Sequence, residues 1–148
     1  MLITQISIFI ENKPGRLAEV IGYLGKENIN IHALSIADTT DFGILRLIVS
    51  DAGQAWNILK SRGLTVKQTD VIAVALRHKP GNLAHVLEEL EGKNISIEYM
   101  YAFTSRSKVH DAMVIFRLDH QDEALERIKG CDIEIIGAEA LQRLDREA

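Results

Sequence analysis

Cysteine is almost missing from this sequence: Cys131 is the only one. A single thiol cannot close an intramolecular disulfide, so the fold must hold without a covalent staple, as fits a reducing compartment. Aromatic residues make up only 5% of the chain, so the core must be built from Ile, Leu, Val and Ala. No apolar run reaches the roughly 20 residues that cross a bilayer. No Lys/Arg cluster could neutralise a row of phosphates, and the net charge of −4 is spread among interspersed acids and bases, so nucleic-acid binding is not expected. The start, Met1-Leu2-Ile3-Thr4, lacks a basic n-region and a small-residue cleavage site, and a cytoplasmic location is the default expectation. His32, His78, His85, His110 and His120 form no metal-ligand pattern, and no Cys/His pair has zinc-finger spacing. Paired catalytic acids, a nucleophile elbow and a phosphate loop are also lacking. Neither a metal nor a cofactor nor catalysis is expected.

What is there is an internal repeat. Asn12-Lys13-Pro14-Gly15-Arg16-Leu17-Ala18-Glu19-Val20 recurs as His78-Lys79-Pro80-Gly81-Asn82-Leu83-Ala84-His85-Val86. The same offset matches Leu24 to Leu90, Asn28 to Asn94, Ile29 to Ile95 and Ile31 to Ile97. The chain has 2 prolines, and both occupy the same place in the repeat. Further on, Gly43–Val49 aligns with Asp111–Arg117 if the second copy has a slightly longer preceding turn. A length of 148 residues accommodates two small domains, 1–70 and 71–141, with a charged tail at 142–148.

Each copy reads as the same order of elements. Ile6, Ile8 and Ile10 alternate with more polar residues, as in a strand. Pro-Gly ends that strand and opens a helix carrying Leu17, Val20, Ile21 and Leu24, which Asn28 ends. Ile29–Ile36 and Gly43–Ser50 read as strands around the turn cluster Asp38-Thr39-Thr40-Asp41. Asp51 is placed to cap a second helix and Gly63 to end it, before a strand over Leu64–Thr69. The second copy gives Val71–Leu76, Gly81–Glu91, Ile95–Phe103, Asp111–Leu118, Gln121–Lys129 and Ile133–Ala138. The order is βαββαβ, twice. Right-handed crossovers then favour an α+β fold of two tandem ferredoxin-like domains, each a four-stranded antiparallel sheet with both helices on one face. Asp70 is almost the whole joint. Strand edges and an uncovered sheet face leave apolar surface to bury, so a homodimer is expected.

The pattern (Asn/Asp)-x-Pro-Gly-x-Leu at the first strand–helix turn, followed by Asn-Ile-Asn-Ile at the second strand, resembles the ACT domain, a regulatory module that binds amino acids. The first copy carries both, at Asn12–Leu17 and Asn28–Ile31. The second departs at His78, in place of Asn/Asp, and at Ser96, in place of the second Asn. The resemblance covers residues 3 to 141 and is similar to small proteins built of two ACT repeats. It implies a ligand seated between the Pro-Gly turn of one domain and the start of the second strand of its neighbour. One cleft would pair Asn12, Gly15, Arg16 and Leu17 with Ser96 and Ile97. The other would pair His78, Gly81, Asn82 and Leu83 with Asn30 and Ile31. If the copies pair between chains, Asn12 faces Asn30 of another subunit instead.

The turn suits such a ligand. Gly15 lets backbone approach closely, and Pro14 gives up an N–H that a helix start leaves unpaired anyway. N–H groups around Arg16 and Leu17 would aim at a carboxylate, which the helix dipole favours. Asn12 can accept from an ammonium or donate to a carboxylate, and His78 could sense a carboxylate near neutral pH. The plain alternative is that these residues only make a good turn and cap. Tyr99, Met100, Tyr101 and Phe103 pack a strand or wall a pocket, Trp56 packs a helix, Glu98 and Arg106 are solvated, and Cys131 is a small buried apolar residue. Function then divides three ways. One reading is a non-catalytic regulator that binds an amino acid and changes its contacts with an enzyme of amino-acid metabolism. The alternative is a structural subunit, like an acetolactate synthase regulatory subunit, with vestigial pockets. A small enzyme on this scaffold is a third class, without a cluster of ionisable residues to support it.

Overall fold

Ile6, Ile8 and Ile10 are all buried on one face of strand β1, Ile3–Glu11. The alternation read from the sequence therefore decides which way the strand faces. The structure is a computed structural model. It describes residues 1–38, 41–77, 79–92, 94–104, 112–129 and 133–147, with only the backbone of 38, 103, 104 and 144–147. His78, Arg106, His110 and Cys131 lie outside the described residues, as does the middle of the turn cluster at Thr39 and Thr40.

The chain divides into two compact units. The first holds Thr4–Thr69 with Leu141–Ala148. After β1 come α1 (Arg16–Lys26), β2 (Ile31–Asp38), β3 (Phe42–Val49), α2 (Ala52–Ser61) and β4 (Thr65–Leu76). The sheet order is β2-β3-β1-β4. Antiparallel register sets Ile6 opposite Leu47 and Ile8 opposite Leu45. These side chains share one face with Val20 and Leu24 of α1 and with Ala55 and Leu59 of α2 in a single apolar cluster. Both helices thus cover the same face. Each fully buried Leu or Ile contributes about 1.5–3 kcal/mol relative to exposure.

The helix ends follow from local chemistry. Asp51 caps α2, its Oδ1 accepting the Gln54 N–H at 3.0 Å. Gly63, at φ 79, ends α2 in the left-handed conformation, and Leu64 N–H reaches back to the Leu59 carbonyl. Asn28 does the same for α1 at φ 58, and Asn94 repeats it at φ 58 in the second copy.

The second unit holds Met1–Ile3 with Asp70–Ala140. Strand β4 runs through the joint without a break, as the lack of a linker at Asp70 implied. Its second half is followed by α3 (Asn82–Glu91), β5 (Ile97–Thr104), β6 (Ala112–Leu118), α4 (Gln121–Lys129), β7 (Glu134–Ile136) and α5 (Ala138–Glu147). Here β4 lies between β6 and β7, with β5 beyond β6, all antiparallel. Ile72, Val74 and Leu76 pack with Phe116 and Leu118 of β6 and with Val86, Leu90, Ala124 and Ile128 of the helices. The ferredoxin-like βαββαβ order therefore appears in both copies.

One strand boundary and one alignment are corrected. The strand read over Ile133–Ala138 is only Glu134–Ile136, because Ala138 already starts α5. Leu141 lies inside this helix and is buried, and the charged tail is helical to Glu147. The alignment of Gly43 with Asp111 was also off by one. Gly43 pairs with Ile10, and Ala112 pairs with Leu76, the repeat equivalent of Ile10. Gly43 thus corresponds to Ala112 and Leu45 to Val114. A one-residue slip exchanges the two faces of a strand, and burial in the core settles which alignment holds.

Candidate functional site

The shared shape of the two Pro-Gly turns comes from backbone alone. In the first, the Arg16 N–H donates to the Lys13 carbonyl at 3.2 Å across Pro14 and Gly15. Gly15 has φ 82 and ψ −10, the third position of a type II turn, with proline favoured just before it. In the second, Asn82 N–H donates to the Lys79 carbonyl at 3.3 Å and Gly81 has φ 91. The Arg16 N–H, expected among the donors facing a ligand, is therefore used within the turn. The first N–H bonded inside α1 is that of Glu19, to the Gly15 carbonyl at 3.0 Å. Those of Leu17 and Ala18 precede it, in the part of a helix whose donors have no intrahelical acceptor.

Charged side chains around the first turn are tied down. Lys13 Nζ sits 2.7 Å from Glu11 Oε2, and its hydrogen bond holds the Glu11 carboxyl below the usual carboxylate range. Arg16 Nη1 bonds Glu19 Oε2 at 3.2 Å. Glu19 is also held low, first by the hydroxyl of Tyr23, which donates to it, and then by Arg16. Asn12 is exposed, and its backbone N–H donates to the Asp41 carbonyl at 2.9 Å. A cleft of about 460 Å³ opens beside this turn, lined by Phe9, Glu11, Arg16, Phe42, Leu64 and others. Phe9 and Phe42 are 53% and 55% exposed, so the cleft offers aromatic surface next to a guanidinium. The sequence reading missed both. Their signal was an aromatic at an outward-facing strand position. In the second copy the Asn82 side chain is tied to the end of β4, its Nδ2 donating to the Arg77 carbonyl at 2.8 Å, while Leu83 is partly exposed.

The other half of the expected site is the start of the second strand. Asn30 and Ser50 hold each other by two bonds: Asn30 N–H to Ser50 Oγ at 2.9 Å and Ser50 N–H to the Asn30 carbonyl at 2.9 Å. Asn30 Oδ1 accepts the Ile31 N–H at 3.1 Å. An open depression of about 470 Å³ lies there, lined by Gly25, Asn28, Ile29, Asn30 and Ser50. In the second copy Ser96 N–H donates to Asp119 Oδ1 at 2.9 Å, and Asp119 N–H donates to the Ser96 carbonyl at 3.2 Å. Ser50 and Asp119 were not singled out from sequence.

Within one unit the two halves lie at opposite ends of the sheet. Glu11 pairs with Phe42, and Gly43 with Asp38, at the turn end, whereas Ile31 pairs with Val49 at the other. In the second copy Leu76 pairs with Ala112 and Ile97 with Leu118. Eight residues of strand separate the ends by roughly 20 Å or more. The structure therefore does not bring Asn12 to Asn30, or Gly81 to Ser96, within a unit.

A family model described as an ACT domain pair matches residues 1–145. The chain belongs to the ACT domain pair family. It is similar to the crystal structure of protein BT0572 from Bacteroides thetaiotaomicron, with 43% identity, a TM-score of 0.89 and 96% of each chain covered. It shares its fold with the ligand-free regulatory subunit of aspartate kinase from Thermus thermophilus, at a TM-score of 0.61 and 17% identity over 89% of this chain and 95% of that one. Among curated proteins it is similar to the acetolactate synthase isozyme 3 small subunit of Escherichia coli, 29% identical over 85 residues, which is 57% of this chain and 50% of that protein. The chain spans about half the length of the curated relatives it matches. For an ACT domain pair, no helix among the described residues is long and apolar enough to cross a membrane.

Proposed function

We propose that this ACT domain pair is a non-catalytic regulatory protein that binds a free amino acid, the Pro-Gly turn of one module being completed by the second-strand start of another. The observation that carries this reading is the repeated turn, with Gly15 and Gly81 both left-handed and the donors of Leu17 and Ala18 at the mouth of a helix. Such a helix start favours a carboxylate, and Phe9 with Phe42 provides apolar surface beside it. The opposite placement of the two halves within a unit is the reason a second module is required. The partner we infer is an enzyme of amino-acid metabolism, by analogy with the small subunit named above.

The working form on this reading is a homodimer. Edge strand β2 supports it, with Leu34 and Ile36 being 52% and 41% exposed. An edge strand with exposed apolar side chains is a template for strand pairing. The test is thermal unfolding in the presence of each of the twenty common amino acids. A ligand at a hundredfold over its Kd stabilises the folded state by about 2.7 kcal/mol and raises Tm visibly. A shift with one amino acid or a small related group is expected. No shift with any of them, in a chain that still associates with an enzyme, would leave a structural subunit.

A further inference from the structure

The two second-strand half-sites are built on one plan but differ by a charge. Each has a two-bond clasp between the residue before the second strand and the residue after the third. In the first copy the acceptor is the neutral Ser50 hydroxyl. In the second it is the Asp119 carboxylate. The register that makes Gly43 equivalent to Ala112 makes Ser50 equivalent to Asp119 and Asp51 equivalent to His120. The acid has thus moved by one residue. In the first copy it caps α2 through the Gln54 N–H. In the second it has left the cap position and entered the clasp.

We propose that Asp119 is a specificity-determining residue: it makes the second copy's half-site an ammonium site, while the Asn30–Ser50 half-site carries no such preference. The inference rests on the amino-acid reading above. A carboxylate has about four acceptor positions, and the clasp uses one, on Oδ1. Near Oδ2 stands His120 Nε2 at 3.7 Å, too far for a hydrogen bond. Acceptor capacity therefore remains, on a side chain that is 35% exposed. A ligand ammonium arriving there gains a charge-assisted bond, whereas a ligand carboxylate is repelled. At Ser50 the hydroxyl already accepts from Asn30 N–H, and what it offers next is a neutral donor. Ser96 adds only a hydroxyl beside Asp119, so the charge on that side comes from the aspartate. The two sites of one chain are then unequal, and an amino acid that lacks its amine loses affinity at one of them and not at the other.

Titration calorimetry tests this on the full chain. The probes are the twenty common L-amino acids and, for the tightest binder, the 2-hydroxy acid with the same side chain. Asp119→Ser recreates the clasp that the first copy already uses, so the fold has a precedent for it. Ser50→Asp makes the reverse change. The expected result is two classes of site in the wild type. Asp119→Ser weakens one class by about tenfold or more, the scale of a hydrogen bond to a charged group, and removes its preference for the amine. Ser50→Asp creates that preference in the other class. An unchanged amine preference in Asp119→Ser together with none gained in Ser50→Asp overturns the inference and leaves amino-acid binding standing. No heat from any of the twenty with the wild type overturns the amino-acid reading and this inference with it.

Discussion

The backbone N–H of Ile29 donates to the carbonyl of Leu24 at 3.0 Å, and the same bond joins Ile95 to Leu90 at 3.4 Å in the second copy. Beside it Asn28 N–H donates to Gly25 and Asn94 N–H to Glu91, the paired bonds of a helix end with a left-handed residue. Ile29 and Leu24 are also core neighbours, so the cap fixes where the chain enters β2. Asn28→Ala places a Cβ-bearing residue without a compensating amide at φ 58 and is expected to cost about 1–2 kcal/mol. Asn28→Gly is expected to change stability little. Urea unfolding of the two variants checks this.

Gly15→Ala and Gly81→Ala are expected to destabilise by about 1–2 kcal/mol each. The cause is conformational, since a Cβ added at either residue meets nothing within 4 Å. Because the turns are alike in φ, the two costs should agree. A much larger cost at one turn would point to a crowded neighbour there.

The Asp51 cap gives a second local test. Asp51→Ala removes the acceptor for Gln54 N–H and is expected to cost about 1 kcal/mol, while Asp51→Ser restores most of it. Denaturant midpoints of the three proteins measure the difference.

The Glu19 carboxyl and the Tyr23 phenol are shifted in opposite directions. The Tyr23 hydroxyl lowers the Glu19 carboxyl, with Arg16 adding to it, and Glu19 raises the Tyr23 phenol. A lowered carboxyl contributes stability that is present above its unfolded value and lost as pH falls through the folded one, from about pH 4 downward. A raised phenol contributes stability that is present below about pH 10 and lost as pH rises through its folded value. Tyr23→Phe should therefore move the Glu19 midpoint upward toward the ordinary carboxylate range. An NMR titration of the Glu19 side chain reads it directly, and the contact is exposed, so the effect on overall stability should be small.

Much of this arrangement was legible because it is local. Pro-Gly and Asn28 fixed a turn and a cap, alternation in Ile6, Ile8 and Ile10 fixed a buried face, and the repeat doubled each reading. What escaped depends on register. No local signal in the sequence around residues 105–111 sets how β6 aligns with β3, so Gly43 is matched one residue early. That slip set Ser50 against Leu118 and concealed its equivalence to Asp119. The short β7 escaped because Ile133, Ile135 and Ile136 read as a strand, while the start of α5 at Ala138 depends on packing that buries Leu141. Phe9 and Phe42 escaped because which end of the sheet they share follows from topology.

The central claim is that an amino acid is held by a Pro-Gly turn together with a second-strand start. Amide chemical-shift mapping during titration with the amino acid that most raises Tm tests it most directly. The expected result is saturable shifts at two separated stretches, Leu17 and Ala18 or Leu83 and Ala84 at the turns, and Asn30 and Ile31 or Ser96 and Ile97 at the strands. Saturable shifts confined to other parts of the sheet or helices, with both stretches unmoved, would contradict it.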